Sequence, residues 1–394
     1  MSSQEPLRVA IVGAGIGGLA TAIALRREGF LVEVYERAPA LTEVGAGVFI
    51  RPASVKILTD WGLAEDYARY STRFLKIDLL RGANGKRLPI SLLSLNEGSY
   101  VDSVLRGDLH HHFATQIPAE TIHLAYKCQS VQEHADFVEL HFTDGSRARA
   151  DIVIAADGIH SAIRPLLNKD IAVFSGQKGY RAVLPIERVK DLLPQHLPSM
   201  WVTRKKGVFL LGSVQNGKAV AYDAILPATQ EAEGSWTSMV EADELIAKLA
   251  GFDPTVREIV CRTEGQISAF SLYDREPITY WNTEHIALLG DAAHPMLPFK
   301  GQGANQAIQD AAVLAECLRG VTSEGIAAAL QRYSSIRIPV TRTFQRQSRQ
   351  GSFRSMVSAA LLEMNCQVAF LWKTLVRSER KMPMQEHSTV NSDQ

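Results

Sequence analysis

Residues 7–18, LRVAIVGAGIGG, are the stretch that decides the fold. A β-branched run is followed by a glycine-rich segment, and apolar residues then recur at helical spacing until Gly29. This pattern predicts a strand, a tight turn and a helix. A second β-branched run, FLVEVYE at 30–36, ends on Glu36, about 20 residues beyond the glycines, which is the spacing of a βαβ unit that binds a dinucleotide.

Each residue of this unit has a physical task. Gly13 permits the tight turn, Gly15 lets the backbone approach a pyrophosphate, and Gly18 lets the helix pack closely on the strand. Gly17 completes the segment, and the positive N-terminal end of the helix attracts the anion. Glu36 is placed to accept hydrogen bonds from a ribose diol. The segment therefore predicts a dinucleotide, without specifying which one.

The composition narrows the class of protein. At 394 residues the chain is long for one core, so we expect two domains. The 42 basic and 42 acidic residues balance, which favours a small-molecule partner over nucleic acid. Four widely spaced cysteines and an N-terminus without a signal-peptide pattern predict a cytoplasmic protein. Polar residues interrupt the apolar segment 355–377, so we expect a packed or interfacial helix and no membrane span.

A helix is predicted at 104–117, VLRGDLHHHFATQI, beginning just after Arg106. The Arg106 cation either is solvated or meets an anion, since a cation gains nothing from a helix N-terminus by itself. The consecutive histidines at 110–112 point in different directions on a helix, so we interpret them as surface and core residues and predict no metal site.

Residues 137–164 predict a hairpin followed by a buried strand that ends at Asp157 and Gly158. A helix is expected to begin near Ser161. Asp157 could serve a ligand at the strand end or simply cap that helix.

The second half of the chain predicts an inserted domain. Strand-like runs and a helix at 241–252 make 172–276 a mostly antiparallel sheet domain. The strand in HIALLGDAAHP, 285–295, then delivers Asp291 back to the first domain. The prediction is an α/β fold with a GxGxxG Rossmann-type domain at 1–171 and 277–345, the substrate domain between these parts, and C-terminal helices with a polar tail at 346–394.

Three motifs occur in a fixed order: GAGIGG with Glu36, ADGIHSAIR at 156–164, and GDAAHPMLPFKGQGANQAIQDA at 290–311. Together they resemble the flavin-dependent aromatic monooxygenases of the para-hydroxybenzoate hydroxylase family, especially its salicylate hydroxylase-like branch, over about residues 7–345. The combination is more specific than any single motif. No second GxGxxG is present, which fits transient NAD(P)H binding and argues against Baeyer–Villiger enzymes and two-domain disulfide reductases.

The resemblance implies an FAD site built from all three motifs. Asp291 would bind the ribityl chain, and the proline-containing loop would lie against the isoalloxazine ring. The DG motif, which is Asp157 and Gly158 with the following residues to Arg164, would serve both FAD and the nicotinamide nucleotide. The residues assigned to the cofactor are Gly13, Gly15, Gly17, Gly18, Glu36, Arg37, Gly47, Val48, Arg106, Asp157, Gly158, Arg164, Gly290, Asp291, Pro298, Gly301, Gly303, Ala304 and Asn305.

The resemblance also implies a reaction. NADH or NADPH would pass hydride to FAD, the reduced flavin would form a C4a-hydroperoxide with O2, and one oxygen would pass to a small, electron-rich aromatic substrate, with the sheet domain excluding water. The run VFLLGSV at 208–214 offers few polar groups, which favours a larger or more apolar substrate than a simple hydroxybenzoate.

Five residues are candidates for contact with the substrate or the reacting atoms. His294, Tyr180 and Tyr273 could act as a base or hydrogen-bond partner for a substrate hydroxyl, and each could equally be structural. Arg181 could bind a substrate carboxylate or form a structural ion pair. Pro295 would hold its loop against the flavin ring.

Two rival functions remain open on the sequence. One is a flavoprotein of the same fold that acts as a dehydrogenase, reductase or oxidase without oxygen insertion. The other is a non-catalytic FAD-binding protein. The choice of NADH or NADPH, and of monomer or homodimer, also stays open.

Overall fold

The structure is a computed structural model that describes residues 5–41, 46–91, 100–195, 197–203, 207–229, 237–265 and 267–349. Two large sheets organise these residues, one of five strands and one of eight, and two three-stranded sheets accompany them. The strands are β1 (Arg8–Val12), β2 (Leu31–Glu36), β3 (Gly47–Ile50), β4 (Thr72–Phe74), β5 (Asp78–Arg81), β6 (Arg87–Ser91), β7 (Val101–Leu105), β8 (Ile122–Leu124), β9 (Cys128–Glu133), β10 (Val138–Phe142), β11 (Arg147–Ala150), β12 (Ile152–Ala155), β13 (Val173–Pro185), β14 (Ser199–Val202), β15 (Val208–Val214), β16 (Ala219–Pro227), β17 (Thr237–Val240), β18 (Ile267–Asp274) and β19 (Ile286–Leu288). The α-helices are α1 (Ile16–Arg27), α2 (Pro52–Asp60), α3 (Ala64–Ala68), α4 (Arg106–Ala114), α5 (Ala242–Lys248), α6 (Pro254–Cys261), α7 (Gly303–Leu318) and α8 (Ile326–Arg349).

The five-stranded sheet is parallel throughout, in the order β19-β12-β1-β2-β8. Its central strands are short β-branched runs buried on both faces, as parallel strands covered by helices require. Helix α1 packs against α7, and the two helices are so close at Gly17 that a β-carbon built there would lie 3.2 Å from the Ala307 side chain. The predicted strand, glycine turn and helix are therefore present, and the predicted α/β fold class is confirmed.

The eight-stranded sheet has the order β17-β18-β13-β16-β15-β14-β5-β6. All of its pairs are antiparallel except β14 with β5. Because neighbouring residues of a strand point to opposite faces, its two faces carry different side chains. One face forms a core with residues of α5 and α6, including Leu245 and Ile259. On the other face, Ile225 and Phe270 pack with Leu297 from the loop after β19.

Strands β5 and β6 precede the segment 172–276, which supplies the other strands of the eight-stranded sheet. These strands lie within residues assigned to the first domain, yet they extend the eight-stranded sheet. Their pairing buries Ile77 and Leu79 against Val101 and Met200, and this burial accounts for their position.

Two further expectations are met only in part. The helix predicted near Ser161 is a single 3-10 turn, Arg164–Leu166. Asp157 accepts a hydrogen bond from the Ala162 amide, and Ser161 accepts from the amides of Ile163 and Arg164 at the start of this turn, as expected for capping residues. Helix α8 extends to Arg349, while residues 350–394, with the apolar segment 355–377 and the polar tail, lie outside the described residues. Over the part of the chain that the structure describes, no helix is long and apolar enough to cross a membrane.

Candidate active site

Four sequence motifs meet at one edge of the five-stranded sheet. The glycine turn follows β1, Glu36 ends β2, Asp157 and Gly158 follow β12, and Asp291 follows β19. Since all these strands are parallel, their carboxyl ends lie side by side in the order Asp291, Asp157, glycine turn, Glu36. In open α/β sheets, this edge is where ligands bind.

The glycine turn has the geometry of a pyrophosphate cradle. Gly13 has φ +103° and packs against the Ala156 carbonyl, leaving no room for a side chain. A β-carbon at Gly18 would overlap the Gly13 carbonyl oxygen, and one at Gly17 would lie 2.9 Å from Leu289. Gly15 differs, because a β-carbon there would meet nothing within 4 Å. The backbone at Gly15 therefore borders open space at the N-terminus of α1.

Two side chains hold this turn in place. The Glu36 carboxylate accepts hydrogen bonds from the Ala14 amide at 2.7 Å and the Ala38 amide at 2.9 Å. His110 donates from Nε2 to the Ala14 carbonyl at 2.6 Å. Sequence reasoning did not connect His110 with the glycine turn, because its position 96 residues later carries no local signal. Arg37, next to Glu36, is exposed at the same sheet edge.

The DG motif divides into a ligand-facing part and a supporting part. Gly158 has φ +80° and open space around it. The Asp157 Oδ2 atom caps the Ala162 amide at 2.8 Å, while its Oδ1 atom is buried and makes no hydrogen bond within the part of the chain that the structure describes. Burial raises the pKa of the Asp157 carboxyl, against hydrogen bonds from Ser161 and Ala162 that lower it. Asp157 thus keeps one acceptor oxygen unused at the sheet edge.

Arg164 has a supporting role instead of the predicted cofactor contact. Its side chain is fully buried, and its guanidinium binds both carboxylate oxygens of Asp170 at 2.8 and 2.9 Å. It also donates to the carbonyls of Ala292 and Ala293 at 2.8 and 2.9 Å. These bonds tie the DG motif to the turn that carries Asp291, so Arg164 positions both segments.

Asp291 lies in the 3-10 turn Gly290–Ala292, which directly follows the sheet edge. Its side chain is exposed, and no hydrogen bond to it is found within the described part of the chain. A β-carbon built at Gly303 would lie 4.0 Å from Oδ1, which places this carboxylate beside the N-terminus of α7.

A buried ionic network supports this turn. Asp310 on α7 accepts hydrogen bonds from His294 Nε2 at 2.5 Å, Arg337 Nε at 2.6 Å and the Gly290 amide at 3.1 Å. Burial acts to raise the pKa of Asp310, but the charges and hydrogen bonds of His294 and Arg337 outweigh it and hold the pKa below its usual value. His294 is 0% exposed and stacks on Trp281. The predicted catalytic role of His294 is therefore corrected to a positioning role, because the ring is fully buried and its Nε2 atom is bonded to Asp310.

The loop after this turn is clamped to β3. Asn305 donates to the carbonyls of Phe49 at 2.8 Å and Gly301 at 2.9 Å, and its side-chain oxygen accepts from the Arg51 amide at 2.8 Å. Gly301 has φ +58°, which a glycine adopts without strain. The clamp brings the strand that contains Gly47 together with the start of α7.

Other predicted cofactor residues surround this clamp. Gly47 and Val48 form the start of β3, and Arg106 begins α4 directly after the neighbouring strand β7. The Arg106 amide donates to the Ala46 carbonyl at 2.8 Å. Pro298 starts the 3-10 turn Pro298–Lys300 that leads into Gly301. Ala304 follows Gly303 in the first turn of α7, and Pro295 accepts a hydrogen bond from Gln345 at 3.0 Å.

Tyr180 and Arg181 lie on opposite faces of the eight-stranded sheet. Tyr180 is buried in the core with α5 and α6, and burial raises its pKa to about 12. It faces away from the sheet edge, which corrects its predicted substrate contact. Arg181 lies on the other face, which also carries Ile225 and Phe270 and is called the inner face below. There it is paired with Asp223, and its guanidinium lies 4.2 Å from the centre of the Phe270 ring. Of the two readings of Arg181, the structural ion pair is the one observed.

Tyr273 lies beside the DG motif. Its ring is 5.4 Å from that of His160 and 6.1 Å from that of Phe174. Burial lowers the pKa of His160, and the charges of Arg275 and Arg37 act in the same direction. This aromatic cluster borders the edge where the motifs meet. Among the described residues, no three His, Cys, Asp or Glu side chains come together as metal ligands.

The arrangement fits FAD on several observations. Open space adjoins Gly15, an unused oxygen of Asp157 is buried at the sheet edge, and the Asp291 carboxylate has no hydrogen bond within the described residues. The N-terminus of α7 adds backbone amides and a positive dipole beside the clamp. Fold and site together define an α/β protein that binds a dinucleotide across its parallel strand ends.

Comparison with known proteins identifies the family. The FAD binding domain family matches residues 6–348. A 3-amino-4-hydroxybenzoate 2-monooxygenase, PtmB3 of Streptomyces platensis, is 35% identical over 89% of this chain and 88% of its own. A 6-hydroxynicotinate 3-monooxygenase of Bordetella bronchiseptica is 33% identical over 89% of this chain and 92% of its own. The crystal structure of Klebsiella pneumoniae HpxO with FAD and uric acid matches with TM-score 0.78 and 27% identity, covering 91% of this chain and 92% of that one.

The chain therefore belongs to the FAD binding domain family, and within it to the FAD-dependent monooxygenases of the aromatic hydroxylase type. This confirms the resemblance, the enzyme class and FAD as the cofactor, all of which the three motifs predicted. NAD(P)H and O2 are the co-substrates typical of these enzymes.

Proposed function

We propose that this monooxygenase hydroxylates a small, electron-rich aromatic molecule, with NADH or NADPH as the reductant and O2 as the source of the inserted oxygen. The observation that carries the proposal is the packing of Leu297, from the loop beyond Asp291, against Ile225, Phe270 and Leu272 of the eight-stranded sheet. An apolar wall thus adjoins the edge where the cofactor motifs meet. The two sequence relatives, which act on hydroxylated aromatic acids by name, support the same class.

The residues of the sheet edge would divide the cofactor between them. The glycine turn and α1 would hold the pyrophosphate, and Glu36 the ribose of the adenosine half. Asp291 would bind the ribityl chain, and the amides at Gly301 and Gly303 would face the flavin ring. Bound FAD supplies hydride acceptance and oxygen activation, so the protein's task is to orient the substrate and exclude water.

The inner face of the sheet would perform that task. Phe270 and Leu272 present apolar surface, and Arg181 places its guanidinium on the Phe270 ring. The Arg181 charge is compensated by Asp223, so this ion pair needs no counter-charge from a ligand. An apolar wall with one neutralised polar pair suits an aromatic ring and excludes water from it.

The test is a product assay on the purified FAD-loaded protein. NADH and NADPH oxidation, O2 uptake and product mass would be followed with phenols, hydroxybenzoates, aminohydroxybenzoates, hydroxynicotinates and larger aromatics. The proposal expects that one compound accelerates oxidation and gains a single oxygen atom. Formation of H2O2 alone with every compound, or substrate-dependent reduction of an artificial acceptor without O2, would favour an oxidase or a dehydrogenase instead.

Replacing Asp291 with alanine is expected to weaken FAD binding more than tenfold. A charge-assisted hydrogen bond contributes about 1.5–3 kcal/mol, and Asp291 makes no hydrogen bond in the described residues that its loss would break. The ratio of flavin to protein absorbance and the FAD dissociation constant measure the effect. Asp136→Ala, at an exposed aspartate, is the control and should bind FAD like the wild type. Unchanged FAD affinity in Asp291→Ala would remove the proposed ribityl role.

Three finer predictions are not tested by these observations and stay predictions. They are the cytoplasmic location, the monomeric or homodimeric state, and the domain boundaries at residues 171, 276 and 345.

A further inference from the structure

Lys300 is a buried cation with no carboxylate partner among the described residues. Its side chain is 6% exposed, and Nζ makes no hydrogen bond to any of those residues. The other strongly buried basic side chains of the described residues behave differently. Arg164 and Arg275 bind Asp170, and Arg337 binds Asp310.

The position of Lys300 links it to the proposed substrate wall. It ends the 3-10 turn Pro298–Lys300. The preceding residue, Phe299, packs with the apolar cluster that contains Ile225 and Phe270. The following residue, Gly301, lies beside Phe49, since a β-carbon built there would be 3.8 Å from the Phe49 side chain. Lys300 therefore lies between the apolar wall and the start of α7.

The surroundings of Lys300 make its charge costly. Burial lowers the pKa of the Lys300 ammonium to about 8, and the like charge of Arg51 adds to this effect. Helix α8 also packs against this turn, and its Arg337 and Arg349 are each neutralised by carboxylates. A buried ammonium that no protein carboxylate compensates is stabilised when a ligand brings the opposite charge.

We propose that the Lys300 ammonium binds the carboxylate of an aromatic substrate whose ring lies on the Ile225–Phe270 wall; this inference rests on the proposed function. Arg181, which the sequence offered for such a carboxylate, is already paired with Asp223. Lys300 has no such partner among the described residues. The substrate class is thereby narrowed to aromatic acids, and Lys300 becomes a residue that determines specificity.

Binding of matched acids and amides tests the proposal. The probes are 3-amino-4-hydroxybenzoate and 6-hydroxynicotinate, each compared with its carboxamide, titrated calorimetrically into the FAD-loaded protein. We expect the wild type to prefer at least one acid over its amide by tenfold or more. Lys300→Met should lose that preference through about tenfold to hundredfold weaker acid binding, with amide binding unchanged. Lys300→Arg should keep it, and the control Lys56→Met, at an exposed lysine, should match the wild type.

The pH profile and the melting temperature separate this role from a structural one. Because the ammonium form binds the acid, wild-type acid affinity should fall as the pH rises through about 8, whereas Lys300→Arg should keep its affinity there. Without ligand, Lys300→Met should melt at or above the wild-type temperature, since an uncompensated charge is removed.

Four results would overturn the proposal: no acid preference in the wild type, a retained preference in Lys300→Met, equal weakening of acid and amide, or a lower melting temperature of Lys300→Met. If Lys300→Met binds the acid like the wild type but its flavin is reduced more slowly, Lys300 instead stabilises negative charge on the cofactor. These binding readouts need no turnover. Loss of acid preference in Lys300→Met without oxygen insertion in any product assay would therefore refute the proposed function and retain the anion site.

Discussion

Gly15→Val is expected to yield a folded protein that contains no FAD. A β-carbon at Gly15 meets nothing within 4 Å among the described residues, so a side chain begins there in open space. The backbone there is extended, with φ −69° and ψ −180°, and a valine adopts it without strain. The valine side chain would fill the space that the pyrophosphate needs at the N-terminus of α1. Fold and cofactor binding are thus separable at this one position.

The measurement combines flavin absorbance of the purified variant with its circular dichroism spectrum. The expected Gly15→Val protein is colourless and has the wild-type spectrum. Gly18→Ala provides the contrast, because its β-carbon would overlap the Gly13 carbonyl oxygen and disturb the turn itself. A yellow Gly15→Val protein with wild-type FAD content would refute the location of the pyrophosphate.

Asp310→Asn is expected to lower the free energy of unfolding by about 3 to 5 kcal/mol, the usual cost of breaking a buried charge pair. Asp310 is fully buried and binds His294, Arg337 and the Gly290 amide. The substitution leaves the Arg337 guanidinium buried without its anion. The turn that carries Asp291 loses its support at the same time, so FAD binding should weaken as well.

The contribution of Asp310 to the free energy of unfolding depends on pH. The folded pKa of Asp310 is lowered, so its contribution is fully present above the unfolded value of about 3.9 and is lost as the pH falls through the folded pKa. Asp310→Asn should therefore show less acid destabilisation than the wild type in urea unfolding. Asp60→Asn, at an exposed i,i+4 pair with Lys56, is the control and should cost less than about 1 kcal/mol. Equal midpoints for Asp310→Asn and wild type would contradict the network's importance.

The sequence predicted that its motifs meet at one edge of the parallel sheet, because the residues of these motifs are specified locally. A left-handed turn at Gly13, the close packing at Gly18 and an acid at the end of β2 all follow from short-range geometry. The parallel order of the strands then brings Asp157 and Asp291 beside them. Local signals plus one topological rule were enough for these positions.

The substrate side could not be predicted in the same way. Alternation separates Tyr180 from Arg181, but both faces of the eight-stranded sheet are covered, so hydrophobicity does not reveal which face is the inner one. The supporting contacts of Arg164 and His110 join residues about a hundred positions apart. Such pairs leave no periodic trace in a single sequence.

The tie from Arg164 to the Ala293 carbonyl spans 129 residues, and it has a consequence for biosynthesis. The ribosome releases the glycine turn and Glu36 early, but the edge strand β19 and helix α7 emerge only after the entire inserted sheet. During synthesis, the edge of β12 therefore stays unpaired until β19 has emerged from the ribosome. We therefore expect flavin binding to be one of the last events of folding, with the yellow colour developing only once the chain has been synthesised through α7.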